Sequence, residues 1–374
     1  MNGGDPPAGE PTQAVTIISP VHTWWMWWLR TSWPYARRSR LVARPLVELS
    51  LIHFAHWSLV SRMPPGAKRS RSKPLPYPYL LFQTNFRDDL SAYIDSFALV
   101  VPRRIKFIWG GALRFPGPHP PDKFLAFIQE NVTPNNYYYC AYPGESAAAI
   151  RTALGLVIKH ERFAREAGRL GGPEFVSRLK SLVAEPAIAG SLTERAPGPT
   201  ALIVIAPVRE GHEDALRGSI KGIPGDAGSP FAADEGTHFA RMTVIPALLD
   251  GNGEPTAPAR AYLLLTADFD GSVGSWLARF GDTLRTAFDV VLSHCEGYPG
   301  AREVGPFNRY LLAHSTPAGF SIISYRATVG EVRYALHLQE ELRDLAFHAD
   351  RLGFEELREE WRERCPPLRS LRPA

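Results

Sequence analysis

Leu51-Ile52-His53-Phe54-Ala55-His56-Trp57 returns later in the chain as Gly236-Thr237-His238-Phe239-Ala240-Arg241-Met242. Tyr79-Leu80-Leu81-Phe82-Gln83-Thr84-Asn85-Phe86 returns as Tyr262-Leu263-Leu264-Leu265-Thr266-Ala267-Asp268-Phe269. The offset scarcely drifts: 238 − 53 is 185 and 262 − 79 is 183. A period this long, held over whole groups of elements, marks a duplicated domain and not a solenoid. Working outward, Val15-Thr16-Ile17-Ile18-Ser19-Pro20-Val21 matches Leu202-Ile203-Val204-Ile205-Ala206-Pro207-Val208. Both are β-branched runs closed by proline, which reads as a strand and its stop.

A helical stretch separates this strand from the His-Phe-Ala strand, and a Pro-rich loop leads on to the Tyr-Leu-Leu strand. Next, Leu90, Tyr93, Ile94 and Phe97 repeat the spacing of Val273, Trp276, Leu277 and Phe280. That spacing is one apolar helical face. A fourth strand is expected at Lys106 to Trp109 and at Val290 to Ser293. The order βαββαβ is the ferredoxin-like motif. Each copy continues through a short helix, a Thr-Pro (Thr133-Pro134, Thr316-Pro317), a strand and a last helix. The fold class is therefore α+β: tandem ferredoxin-like units packed as an internal dimeric α/β barrel, each with an αβα extension. Residues 1–13 read as a disordered N-terminus and 14–164 as the first repeat. A linker follows at 165–200, the second repeat at 201–348, and a charged helix and tail at 349–374.

The chain has 374 residues, enough for two cores, with 45% hydrophobic and 21% charged residues. A net charge of +4 without a basic stripe does not suggest nucleic acid. Three scattered cysteines lack metal-ligand spacing and suit a reducing compartment. The first residues lack a signal peptide's pattern, and no apolar run reaches membrane-span length. A cytoplasmic location, with or without membrane association, is expected.

Candidate site residues come from positions where the copies differ. Gln83 and Asn85, equivalent to Thr266 and Asp268, lie on one strand face, opposite the apolar face of Leu80, Phe82 and Phe86. The polar face reads as either a pocket wall or a solvated surface. His56 against Arg241 is a diverged pair. His53 and His238, kept in both copies, read as structural rings satisfied by backbone carbonyls. Asp268 and Arg241 are candidate polar pocket groups. His294-Cys295-Glu296 stands where the first copy has Gly110-Gly111-Ala112. On one strand His294 and Glu296 share a face, a geometry for acid–base work; a plain polar turn is the competing reading. His314 replaces Asn131 at a helix end and is a candidate metal or haem ligand. Asp270-Gly271 reads foremost as a turn or helix cap.

The first helix of copy one carries Trp24, Trp25, Trp27, Trp28 and Trp33, followed by Arg30, Arg37, Arg38 and Arg40. At 100° per residue the first four tryptophans span about 160°, wider than one packing stripe. Trp with Arg suits a membrane interface or a protein partner; burial within the chain is the other reading.

Taken together, these blocks resemble the dimeric α/β-barrel superfamily, in particular members with two ferredoxin-like units in one chain, such as dye-decolourising peroxidases and chlorite-dismutase-like proteins. A closer likeness is to uncharacterised bacterial proteins with Asp268-Phe269-Asp270-Gly271 and His294-Cys295-Glu296-Gly297-Tyr298-Pro299. The resemblance implies two sheets facing a pocket, haem under a histidine, and Asp270 as the distal acid of a Gly-x-x-Asp-Gly signature, whose first glycine is Ala267 here. The leading expectation is a pocket-bearing oxidoreductase-like protein, with or without haem, acting on a small hydrophobic molecule. The alternative is a non-catalytic scaffold docking on a membrane or protein through Trp24, Trp25, Trp27 and Trp28.

Overall fold

The computed structural model describes residues 12–38, 52–63, 74–86, 90–184, 198–256 and 261–368. Of the expected disordered residues 1–13, 1–11 lie outside that range, as do Arg40, linker residues 185–197 and tail residues 369–374, while Gln13 opens the first strand. The chain divides into two compact units, Met1–Ser146 with Pro199–Ser324, and Ala147–Gly198 with Tyr325–Ala374.

The first unit is α+β with two antiparallel sheets. Strands β1 (Gln13–Pro20), β2 (Ile52–Arg62) and β3 (Pro74–Phe86) form one sheet in the order β1-β3-β2. Strands β5 (Thr200–Pro207), β6 (Thr237–Ile245) and β7 (Tyr262–Phe269) repeat it as β5-β7-β6. The registers match residue for residue: Pro20 faces Tyr79 as Pro207 faces Tyr262. Both sheets also carry an irregularity beside the conserved histidine, between Ile52 and Ala55 and between Thr237 and Phe239.

The extension strands are exchanged between copies. β4 (Tyr137–Cys140), from the first repeat, pairs with β6 of the second. β9 (Phe320–Ile323), from the second, pairs with β2 of the first. Neither repeat completes its own sheet, so the compact units do not coincide with the repeats.

Helices are α1 (Thr23–Arg38), α2 (Leu90–Val100), α3 (Pro102–Trp109), α4 (Pro121–Asn131), α7 (Glu213–Lys221), α8 (Val273–Ala278), α9 (Asp282–Leu292) and α10 (Val304–Ala313), while α5, α6, α11 and α12 belong to the second unit below. The fourth strand expected at Lys106 to Trp109 and Val290 to Ser293 is instead helical, within α3 and at the end of α9. Proline opens α3, where its missing N–H costs nothing. Ile105, Ile108 and Trp109 then bury one face. In α9, Leu284, Phe288, Val291 and Leu292 recur at helical spacing and are buried. A two-residue strand, β8 (Ser315–Thr316), pairs with β5 instead. At the equivalent place Val132 makes a single bridge to Ile17.

The apolar sheet face packs on helices as alternation requires. Leu80, Phe82 and Phe86 join Ile94 and Phe97 of α2 and Ile105 of α3 in one buried cluster. The opposite faces of the two sheets meet each other. Ile18, Val60 and Leu81 of the first sheet pack with Ile203, Ile205 and Leu264 of the second.

The second unit is helical: α5 (Ala147–Glu166), α6 (Gly172–Ala184), α11 (Val329–His348) and α12 (Phe354–Arg364). Phe163, Phe175 and Trp361 form an aromatic core, with ring centroids 5.1, 5.2 and 5.6 Å apart. The segment expected as a linker thus contributes α6, with Phe175, Leu179 and Leu182 buried. Thr328 and Glu331 cap α11 reciprocally. His160 is buried and accepts from the Trp361 indole N–H at 3.2 Å. Burial pulls its imidazole down to about 4.

Candidate functional site

The polar strand face is a sealed network and not a pocket wall. Gln83 donates to Thr266 Oγ1 at 2.7 Å and accepts from it at 3.0 Å. His56 Nε2 meets Asp268 Oδ1 at 2.7 Å, and Asn85 Nδ2 donates to Asp268 Oδ2 at 3.3 Å. Arg241 Nη2 donates to Asn85 Oδ1 at 2.6 Å, and its Nη1 to the carbonyls of Val15 and Thr84. All six side chains belong to residues no more than 2% exposed. Equivalent positions bond each other across the sheets: Gln83 with Thr266, Asn85 with Asp268. His56 to Asp268 and Arg241 to Asn85 are likewise equivalent pairs.

Buried polar groups must be paired, and these are. Burial opposes ionisation of Asp268, but His56, by charge and hydrogen bond, and Arg241 outweigh it and hold the carboxyl below its ordinary range. Burial pulls the Arg241 guanidinium down from its usual value, with Asp268 and Tyr138 opposing. Asp268 and Arg241, expected as polar pocket groups, are each engaged by the facing sheet. Asn135, which sequence reasoning missed, adds to this seal. Its Oδ1 accepts from Thr16 and Thr243 at 2.9 and 2.8 Å. No single-chain signal marks an Asn for such a task.

The conserved histidines divide. The His53 ring bonds the Glu145 backbone, but burial dominates and pulls its imidazole down to about 3. His238 instead joins two side chains, Tyr142 Oη at 2.6 Å from Nδ1 and Asp270 Oδ1 at 3.0 Å from Nε2. Asp270 is thus not the cap of α8; Ser272 and Ser275 supply that reciprocally.

The His-Cys-Glu stretch lies in a turn after α9, so strand-face reasoning does not apply to it. His294 Nδ1 lies 3.1 Å from His212 Nδ1, and its Nε2 is 2.9 Å from Ser219 Oγ. Both ring nitrogens are engaged, so Glu296 is not the partner of this imidazole. The Glu296 carbonyl accepts from Tyr310 Oη at 3.1 Å. Desolvation, then His212 and Arg209, lower the His294 pKa. Cys295 is fully buried and its thiol is pushed up to about 12, which makes it a poor nucleophile.

The repeats also align one residue differently here. His22 N donates to Gly111 O as Arg209 N does to His294 O, both at 2.9 Å. Gly111, not Gly110, is therefore the counterpart of His294. Trp25 and His212 are counterparts too, each donating its N–H to the first residue of the turn, His22 or Arg209.

His314, the candidate metal or haem ligand of the sequence reading, closes the end of α10. Its Nδ1 bonds the Tyr310 carbonyl at 2.8 Å, four residues back. Asn131, its counterpart, makes the same bond to Phe127 O at 2.8 Å. The shared task is closing a helix end. Haem does not fit these residues: the signature acid Asp270 is bonded to His238, and the space between the sheets is filled by bonded side chains.

The tryptophans of α1 split into two stripes. Met26, Leu29, Trp33 and Ala36 are buried. Trp24, Trp27, Trp28 and Tyr35 are 62, 58, 47 and 77% exposed. At 100° per residue the exposed set spans about 100° and centres about 160° from the buried set. Trp25 is not part of the exposed stripe; its indole N–H donates to the Ile108 carbonyl at 3.0 Å. Arg30 lies over the Trp27 ring at 5.2 Å, and Phe107 of α3 meets Trp28 edge-on. Arg37 ties α1 to the carbonyl of Ala318 at 2.7 Å.

Among the described residues, no helix is long and apolar enough to cross a membrane. Nor do three or more His, Cys, Asp or Glu side chains there converge as a metal cluster. No family model matches the chain, and no curated protein does. A solved structure of 6-hydroxy-D-nicotine oxidase from Arthrobacter nicotinovorans aligns at 12% identity and a TM-score of 0.17, over 90% of this chain. The chain spans 52% of that protein's length, and at this TM-score nothing about fold or activity follows.

Proposed function

We propose that this protein docks on anionic membrane surfaces through α1, with two ferredoxin-like repeats as the scaffold that holds the helix in place. The observation that carries the reading is the aromatic stripe of Trp24, Trp27, Trp28 and Tyr35, turned away from the core. A scattered exposed aromatic is ordinary, but an aligned set of four is a contact surface. A tryptophan carries about 150–250 Å² of surface. Covering the exposed half of one is worth about 2–3 kcal/mol at ~25 cal/mol per Å².

Charge selects the occupant. No acidic residue occurs in α1, which ends in Arg37 and Arg38 and carries Arg30. Exposed Arg103 and Lys106 lie on α3, which also lacks acids. Each Lys or Arg near an anionic leaflet adds about 1 kcal/mol. Trp, Tyr and Arg on one helix is the composition of an interfacial segment.

Support for the ferredoxin-like reading comes from strand order. In the second sheet β8-β5-β7-β6 are all antiparallel neighbours, with β8 in the fourth-strand position. The face-to-face contacts of the two sheets favour the internal barrel arrangement. The oxidative-pocket reading draws no support from the sealed polar face.

Co-sedimentation with vesicles tests the docking. The protein should pellet with phosphatidylserine-containing vesicles and less with phosphatidylcholine alone. Trp24→Ser, Trp27→Ser and Trp28→Ser combined should weaken binding at least tenfold with an unchanged melting curve. Equal binding by the combined variant, or none by the natural chain, overturns the proposal. A stoichiometric complex with a soluble protein through the same residues, without vesicle binding, would do so as well.

A further inference from the structure

The second repeat carries a pair of imidazoles that the docking surface does not use. His212 and His294 face each other through Nδ1 at 3.1 Å, and both are half-buried and open to solvent on one side. Their counterparts, Trp25 and Gly111, are a large side chain over a bare backbone. A Cβ at Gly111 would lie 2.1 Å from the Trp25 ring. In this repeat, two imidazoles thus stand where the other repeat places an indole over a glycine.

We propose that His212 and His294 form a binding site for one late first-row divalent metal ion, copper(II) or zinc, held by the two Nδ1 atoms. Two imidazole nitrogens at about 2.0–2.1 Å from one such ion lie roughly 2.8–3.4 Å apart, for angles from square to tetrahedral. The observed separation falls inside that range. A metal-bound imidazole commonly donates its second N–H to a fixed acceptor, which sets the tautomer. Ser219 Oγ lies 2.9 Å from His294 Nε2 and can accept that N–H, which would leave the Nδ1 lone pair for the metal. Arg209 does not occupy the ligand position; its Nε donates to the Cys295 carbonyl at 3.1 Å. With two protein ligands the remaining positions belong to water, and copper(II) ranks above zinc in affinity. The site is independent of α1 and of the membrane reading.

Zinc calorimetry and copper(II) electron paramagnetic resonance test it on the full chain. The chain holds eleven histidines, so the reading is a difference between variants. The natural protein should bind one equivalent that His212→Gln and His294→Gln each weaken at least tenfold. Ser219→Ala should weaken it less, and His337→Gln, at an exposed position, should leave it unchanged. Copper(II) should show coupling to two nitrogens. Melting of the metal-free variants checks folding, and metal should raise the melting temperature of the natural chain and of His337→Gln but not of His212→Gln or His294→Gln. No stoichiometric binding overturns the proposal. So does binding that survives both His variants, which would make the 3.1 Å contact a hydrogen bond only.

Discussion

Trp25 over Gly111 and His212 beside His294 are the same place in two copies of one fold. In the first, a large ring fills the space and its partner must have no side chain. In the second, two medium-sized polar rings share that space. Both solutions close the turn after the sheet-edge helix, with the same backbone hydrogen bonds. The lesson is that packing volume is conserved between the repeats while chemistry is not. The polar seal shows the same rule. Asn85 and Asp268 are counterparts, but only one is an acid, and it faces His56.

The sharpest way to break the comparison is at that seal. Asp268→Ala leaves His56 and Asn85 buried without their acceptor and Arg241 without the nearby opposite charge, and should cost about 3–5 kcal/mol in urea unfolding. Asn85→Ala, at the counterpart position, should cost about 1–3 kcal/mol, because it unpairs hydrogen bonds without removing a charge. Equal costs would mean that the two halves of the seal are energetically alike.

Acid should act next most strongly. The unfolded His53 ring takes its proton near 6.5, but burial holds the folded ring to about 3. Between those values the unfolded state binds more protons, so stability is complete above about pH 6.5 and falls as pH drops. His160 does the same between about 6.5 and 4. Each group should remove about 1.4 kcal/mol per pH unit in its window. The depressed Asp268 carboxyl adds a loss only below the ordinary carboxylate range, as pH falls through its folded value. Urea midpoints at pH 7, 5.5 and 4.5 measure the slope. His53→Phe should flatten it, and an unchanged slope would remove His53 from the account.

The smallest effects lie at the Trp–Gly and His–His pair itself. Gly111→Ala forces a Cβ into the Trp25 ring and should cost about 1–3 kcal/mol. His294→Ala, in the half-exposed counterpart, should cost less than about 1.5 kcal/mol, the net worth of a hydrogen bond. A larger loss at His294 than at Gly111 would reverse the assignment of the tighter packing to the first repeat.

Several features were legible in the chain alone. The repeat located β1, β2 and β3 and their counterparts, because alternation and proline stops are local signals. Excess aromatic surface on α1 was legible too, since four tryptophans exceed one packing stripe. The fourth strand was misread, because short apolar runs such as Ile105 to Trp109 suit a strand and a helix equally. The His294 and Glu296 pairing failed for the same reason: it assumed a strand where the chain turns.

Sequence by itself thus determined the duplication, the α+β class and which strand face is polar. Tertiary structure alone decided what covers that face. It also decided that β4 and β9 cross to the other repeat, and that Gly111 rather than Gly110 answers to His294. The reason is physical. Periodicity reports which side of an element is apolar, but a hydrogen-bond partner 183 residues away, as Thr266 is for Gln83, leaves no local trace. Only the closed fold brings such groups within reach.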